Sequence, residues 1–122
     1  MYNVIVADDE KNIREGIVEL IEWEKLGCKV CASMQNGAQV LKYLEEEKIH
    51  VDIIITDIKM PIMDGMELIG MLNERFPDIK VIILTAYSDF TYAQQAIKFQ
   101  VSDFVVKNDF FLELPRAVKK II

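Results

Sequence analysis

The chain has 122 residues, room for one domain at roughly 100–200 residues each, and enough length to bury a core without staples. Its 52% hydrophobic and 28% charged residues make a globular composition rather than a disordered one. With 14 Lys and Arg against 20 Asp and Glu the net charge is −6, which argues against gripping a nucleic-acid backbone or anchoring to a membrane through basic residues, and no apolar run approaches the roughly 20 residues of a membrane span.

The first apolar run, Val4-Ile5-Val6-Ala7, reads as a strand. No basic stretch precedes it and Asp8-Asp9 follow at once, so no secretory signal is expected and the cytoplasm is the default location. Ile13, Ile17, Leu20 and Ile21 then recur at helical spacing. A weaker strand is expected around Lys29–Ala32, where Cys28, just before it, and Cys31, within it, have CxxC spacing. Residues three apart on a strand face opposite sides, and His50 is the lone histidine, so these are read as two ordinary thiols rather than a redox pair or zinc site.

Asn36-Gly37 reads as a turn, followed by a helix on Ala38, Leu41 and Leu44. Ile53-Ile54-Ile55 is a second clear strand, and Ile69, Leu72 and Phe76 mark a helix that Pro77-Asp78 ends. Val81-Ile82-Ile83-Leu84 is the next strand. Phe90, Ala93 and Ile97 repeat the helical period behind a possible Ser88-Asp89 cap. Phe104-Val105-Val106 is the last strand, and a final helix is expected from about Leu112 to Ile122. The clear strands are β-branched and do not alternate with polar residues, as strands covered on both faces do. Five β-α units with short connections predict a doubly wound α/β fold with a parallel sheet. The apolar end Ile121-Ile122, without a helix terminator, suggests a chain cut from something longer.

Such sheets bind ligands beyond the carboxyl ends of their strands. Asp8-Asp9-Glu10 follow the first strand, Thr56-Asp57-Ile58-Lys59-Met60-Pro61 close the third, Thr85-Ala86 the fourth, and Lys107 the fifth. If the first and third strands are neighbours, Asp8, Asp9 and Asp57 converge and repel one another. A hard divalent cation such as Mg2+ would compensate and leave positions for phosphate oxygens. A lysine charge and a threonine hydroxyl suit a phosphoryl group, and a carboxylate can itself accept one. Together these residues read as a magnesium-assisted phosphoryl-accepting pocket.

Asp8-Asp9, the Asp57–Gly65 segment DIKMPIMDG, Thr85-Ala86 and Lys107, in this order, resemble the receiver domain of two-component response regulators over the whole chain, residues 1–122. Tyr87–Ile97 further resembles receivers joined to AraC-type DNA-binding domains. The resemblance implies a flavodoxin-like five-stranded parallel sheet of order 2-1-3-4-5. It implies Asp57 as phosphoacceptor and Asp9 and Asp57 as direct Mg2+ ligands, with the Lys59 backbone carbonyl beside them and Asp8 acting through water. Lys107 would pair with the phosphoryl group, Thr85 would sense it, and Phe104 would change rotamer. Lys59 and Tyr87 occupy positions where family members tune phosphoryl lifetime.

The implied partner is a sensor histidine kinase. A homodimer is possible through the face of the fourth helix, fifth strand and fifth helix, around Gln94, Gln95, Lys98, Asp103 and Arg116. DNA would be contacted only through a missing C-terminal output domain, and no membrane is involved. Two residues depart from the family pattern. Asn108 stands where Pro usually follows the lysine in a cis bond; without Pro, cis costs roughly 3–4 kcal/mol, so a trans Lys107–Asn108 bond is expected. Phe104 lacks the hydroxyl that a switch residue can use.

Other readings compete. A phosphate-independent receiver would act only as a protein-interaction module. A haloacid-dehalogenase-like phosphatase would carry an acid two residues past the nucleophile, where Lys59 stands. A flavodoxin-like flavin carrier would need a Ser/Thr/Gly-rich loop where Asp8-Asp9-Glu10 would repel phosphate. Asp52, five residues before Asp57 on one strand, belongs to the opposite end of the sheet. Glu45-Glu46-Glu47 reads as an exposed helix end, Lys119-Lys120 as another, His50 as a surface residue, and Trp23 as packing where the first helix meets the sheet.

Overall fold

A computed structural model describes residues 1–86 and 101–122. The helical pattern at Phe90, Ala93 and Ile97, its cap, Tyr87, and the surface residues Gln94, Gln95 and Lys98 lie outside the described residues. The elements run β1 (Tyr2–Ala7), α1 (Lys11–Leu20), a 3-10 turn (Trp23–Leu26), β2 (Cys28–Met34), α2 (Gly37–Glu46), β3 (Ile53–Asp57), α3 (Gly65–Arg75), β4 (Lys80–Thr85), β5 (Asp103–Val106), a second 3-10 turn (Lys107–Asp109) and α4 (Phe110–Ile121). The five strands form one parallel sheet of order β2-β1-β3-β4-β5, as the family resemblance implies.

Strand alternation divides the core in two. Ile5, Ala7, Ile54, Val81 and Ile83 face Val40 and Leu41 of α2 and Leu68, Ile69 and Leu72 of α3. Val4, Val6, Ile53, Ile55, Ile82 and Leu84 face Ile17 of α1 and Leu114, Ala117 and Val118 of α4. Every residue of β3 is buried. Each fully buried Ile or Leu is worth roughly 1.5–3 kcal/mol against exposure, so the sheet's two apolar faces dominate the stability. The cysteines fall on different sides: Cys28 lies in the α1–α4 core and Cys31 packs against the α2–α3 core, and both are free thiols. The pairing of β1 with β2 shifts between Val4 and Ile5, leaving Cys31 as the extra residue of a bulge.

Several local expectations change. Leu20 is exposed, although it shares the helical period of Ile17 and Ile21. It is the last residue of α1, where the chain turns toward the sheet and the period no longer decides orientation. Asn36 is not a turn residue but the N-cap of α2, its side chain accepting from the Gln39 N–H at 2.9 Å. The turn Trp23–Leu26 has no periodic signal; Gly27 ends it at φ 74°, in the left-handed region open to glycine. Trp23 packs as expected, buried with its indole N–H donating to the Ile17 carbonyl at 3.0 Å. The last helix begins at Phe110, two residues earlier than expected. The Lys107–Asn108 bond is trans, since the described residues hold no cis peptide.

Ile62 stands apart, at φ 68° and 82% exposed in the loop between β3 and α3. A β-branched residue there is strained and buries little in return. Left-handed backbone costs an L-residue roughly 1–2 kcal/mol, and glycine's extra freedom in the unfolded chain takes back part of that. Ile62→Gly is therefore expected to stabilise the domain by about 0.5–1 kcal/mol in urea unfolding. A loss of stability would mean that the Ile62 side chain makes contacts worth more than its strain.

Candidate functional site

The carboxyl ends of β1, β3, β4 and β5 deliver the site. Asp8 follows β1 and is fully buried, held there because its backbone N–H continues the ladder to the Met34 carbonyl at 3.0 Å. One Asp8 oxygen, Oδ1, accepts from the Glu10 N–H at 2.8 Å, and the Asp8 carbonyl accepts from Arg14 Nη1 at 2.7 Å. The acid thus organises the entry to α1. Asp9 is exposed beside it. Asp57 ends β3 and is buried; its Oδ1 accepts from the Ile58 N–H at 2.8 Å. Single carboxylate oxygens of Asp8, Asp9 and Asp57 lie within 4.8 Å of one another.

Lys107 closes the rim from the other side. Its side chain is 8% exposed, with Nζ 2.9 Å from Asp57 Oδ2, 2.7 Å from Glu10 Oε1 and 3.0 Å from Asp8 Oδ2. The first two are hydrogen bonds. The third is an ion-pair approach without good hydrogen-bond direction, so Asp8 Oδ2 is a buried oxygen with no hydrogen-bond donor. Thr85 ends β4, buried, its hydroxyl donating to the Ala86 carbonyl at 2.9 Å. Lys59 is exposed in the loop after Asp57. Phe104 lies in β5, half-buried against the α2–α3 core.

The electrostatics follow from this crowding. Burial, then the charge of Asp57, push the Asp8 carboxyl up to about 6. Burial also raises Asp57, partly offset by Lys107. For Lys107 burial favours the neutral form, but Glu10 and Asp57 outweigh it and hold the ammonium above its ordinary range. Three carboxylates offering hard oxygen donors within 4.8 Å of one another, one of their buried oxygens without a hydrogen bond, are what Mg2+ requires, so the residues present fit that ion.

Asp8 gives a pH test. Its folded pKa lies above the unfolded value, so folding favours the protonated form. Below pH 4 both states are neutral; between about 4 and 6 the unfolded chain ionises first and stability falls; above that the penalty is constant. Asp8→Asn should therefore add on the order of 1–3 kcal/mol to the metal-free domain at neutral pH, with the gain shrinking toward pH 4. Urea unfolding with a chelator, from pH 4 to 8, checks this. A gain independent of pH would assign the titration elsewhere.

The acids, Thr85 and Lys107 all sit at strand ends as expected. Asp52 lies at the opposite end, accepting from the Asn3 N–H at 2.8 Å, with exposed His50 3.0 Å away. Sequence reasoning missed Glu10, which reads as one more acid at a helix start. Only the position of Lys107 reveals its role.

Comparison with known proteins agrees with the geometry. The family model for the response regulator receiver domain matches residues 4–119. The chain is 38% identical over 107 residues to the transcriptional regulatory protein YesN of Bacillus subtilis, covering 88% of this chain and 28% of that one. It is 32% identical to the transcriptional regulatory protein HptR of Staphylococcus aureus, covering 88% of this chain and 41% of that one. The chain thus spans less than half the length of these relatives. Among solved structures, the receiver domain of AraT, a response regulator from Geobacillus stearothermophilus, superposes with a TM-score of 0.85 at 37% identity, covering 98% of this chain and 93% of that one. A receiver domain from Clostridium thermocellum superposes with a TM-score of 0.86 at 29% identity, covering all of this chain and 94% of that one. By fold, strand-end chemistry and family match together, the chain belongs to the receiver domains of two-component response regulators.

Proposed function

We propose that this receiver is a phosphorylation-activated switch that takes a phosphoryl group onto Asp57 from a sensor histidine kinase. The observation that carries the reading is the convergence of Asp8, Asp9 and Asp57, two of them buried, at one strand-end rim against the Lys107 ammonium. Burying like charges against one another works against the charged form of each acid, and a module that only bound other proteins would have no use for such a cluster. Asp8, Asp9, Asp57 and the Lys59 backbone carbonyl would hold Mg2+. Bound there, the ion offsets the negative charge that otherwise keeps a phosphodonor away.

The chain's own groups supply the rest. A carboxylate oxygen of Asp57 forms the new bond to phosphorus. The bond from phosphorus to the donor's histidine nitrogen, or to the oxygen of a small acyl phosphate, breaks, and its electron pair leaves with the donor. Lys107 stays protonated and pairs its ammonium with the transferred group. Thr85 reaches a phosphoryl oxygen by giving up its bond to the Ala86 carbonyl. Phe104, half-buried in the edge strand β5, would repack in response and pass the change to the surface near Asp103 and Arg116. That face is the proposed site of homodimer formation.

A transcriptional output domain is the proposed target of the switch, in keeping with relatives named as transcriptional regulatory proteins, and the resemblance at Tyr87–Ile97 makes it one of AraC type, contacting DNA. The domain is no turnover enzyme beyond slow hydrolysis of its own phosphoryl group, and it acts in the cytoplasm. No described helix is long and apolar enough to cross a membrane. The test is intact mass after incubation with acetyl phosphate, with and without Mg2+. One acid-labile phosphoryl group should appear with the ion. An unmodified chain that nonetheless binds Mg2+ would favour the phosphate-independent module.

A further inference from the structure

An ammonium has three N–H donors. In the resting domain Lys107 donates to Asp57 at 2.9 Å and to Glu10 at 2.7 Å, and its ammonium lies 3.0 Å from Asp8 as an ion pair. Asp57 and Asp8 are buried strand-end acids, but Glu10 is different. Its side chain is 62% exposed and it lies between Asp9 and the first turn of α1. Its backbone is fixed over the site by the N–H bond to Asp8 Oδ1 at 2.8 Å. Glu10 offers α1 no capping hydrogen bond. Its carboxylate instead makes the shortest contact to Lys107, on the solvent side of the rim.

A phosphoryl group on Asp57 carries its own oxygens and meets a lysine whose two hydrogen bonds are already given to Asp57 and Glu10. Asp8 and Asp57 are buried and fixed by the ends of β1 and β3, whereas the Glu10 side chain reaches Lys107 from the solvent side. We propose that Glu10 is a positioning residue that anchors Lys107 in the resting site and is exchanged for a phosphoryl oxygen when Asp57 is modified, so that it restrains acceptance. The inference rests on the phosphoacceptor reading above. Two effects act in one direction: the Lys107–Glu10 bond must break, and the Glu10 charge repels an anionic donor at the mouth of the site. A charge-assisted hydrogen bond is among the stronger ones, yet this one is half in water and correspondingly weakened.

The test uses Glu10→Ala, Glu10→Gln and Glu10→Asp. Acetyl phosphate with Mg2+ should modify Glu10→Ala about three- to tenfold faster than wild type, in line with one partly exposed charge-assisted bond. Glu10→Gln keeps the length and loses the charge, and should fall between. Glu10→Asp keeps the charge and loses the reach, and should restore the electrostatic part only. The second readout needs no metal or donor. Nuclear magnetic resonance of the Lys107 side-chain ammonium should show hydrogen exchange accelerated several-fold in Glu10→Ala. A residue serving only to start α1 would leave that signal unchanged.

Rates within twofold of wild type in all three variants, or an unaltered Lys107 signal, would overturn the proposal while leaving the phosphoacceptor reading intact. A wild-type chain that never accepts the phosphoryl group would instead sink that reading. The ammonium signal would then decide by itself whether Glu10 anchors Lys107.

Discussion

Asp57→Asn is expected to end modification by acetyl phosphate, lowering the rate to below about a thousandth of wild type, because an amide oxygen is a far poorer nucleophile than a carboxylate and a poorer ligand for a hard cation. The geometry lets the substitution keep one of the two hydrogen bonds that Asp57 accepts. Asp57 Oδ1 accepts from the Ile58 N–H, and an amide oxygen can keep that bond. The amide NH2 then replaces Oδ2 and faces the Lys107 ammonium, which gives up that bond and retains Glu10 and Asp8 as partners. The substitution also removes one of the charges that burden Asp8. Fold and stability should therefore survive, as circular dichroism and urea unfolding would show. Intact mass is the direct readout, with the wild-type chain modified alongside. A phosphoryl group persisting in Asp57→Asn would mean that another acid is the acceptor, with Asp8 and Asp9 next in line.

Gly65→Ala is expected to cost about 3 kcal/mol or more, at the severe end for a single added methyl group. Gly65 opens α3, and its N–H donates to the Ile58 carbonyl at 2.7 Å. A Cβ there would overlap the Asp57 carbonyl oxygen and come within 2.9 Å of the Ile58 Cα. Both obstacles are backbone, so no side chain can swing aside. Either α3 lifts from the loop or the end of β3 moves, and the second displaces the Asp57 carboxylate itself. Stability and phosphoryl acceptance should fall together, which thermal unfolding and intact mass would record in the same preparation. A variant as stable as wild type would show that the loop relaxes more readily than the close approach of the two backbones implies.

Much of this was legible in the sequence, for a physical reason. Strands covered on both faces are forced to be apolar throughout, so β1, β3 and β4 announce themselves. The acids and Lys107 are legible because in such a sheet ligand chemistry is confined to strand ends, where Asp8 and Asp57 interrupt the apolar runs. Less legible was whatever depends on contact rather than period. Leu20 fits the α1 stripe but falls where the helix stops. The turn at Trp23–Leu26 is set by a left-handed Gly27 and a buried indole, neither of which has a repeat to betray it. The strained Ile62 shows only as a φ angle. Glu10 takes its meaning from a lysine 97 residues away.

That separation has a consequence for how the domain is made. Lys107 meets Asp57 across 50 residues of chain and Glu10 across 97. Contacts so distant in sequence form late, because loop closure must be achieved before they stabilise anything. The β5 strand that carries Lys107 to the rim is also the edge strand beyond β4, joining a sheet whose inner strands precede it in the chain. During synthesis Asp8 and Asp57 emerge well before the lysine that balances them, so a nascent chain lacking β5 has the acids but not their counter-charge. The acidic site is thus completed only when β5 joins the sheet, and a receiver folded without β5 would lack the ammonium that the proposed phosphoryl group needs.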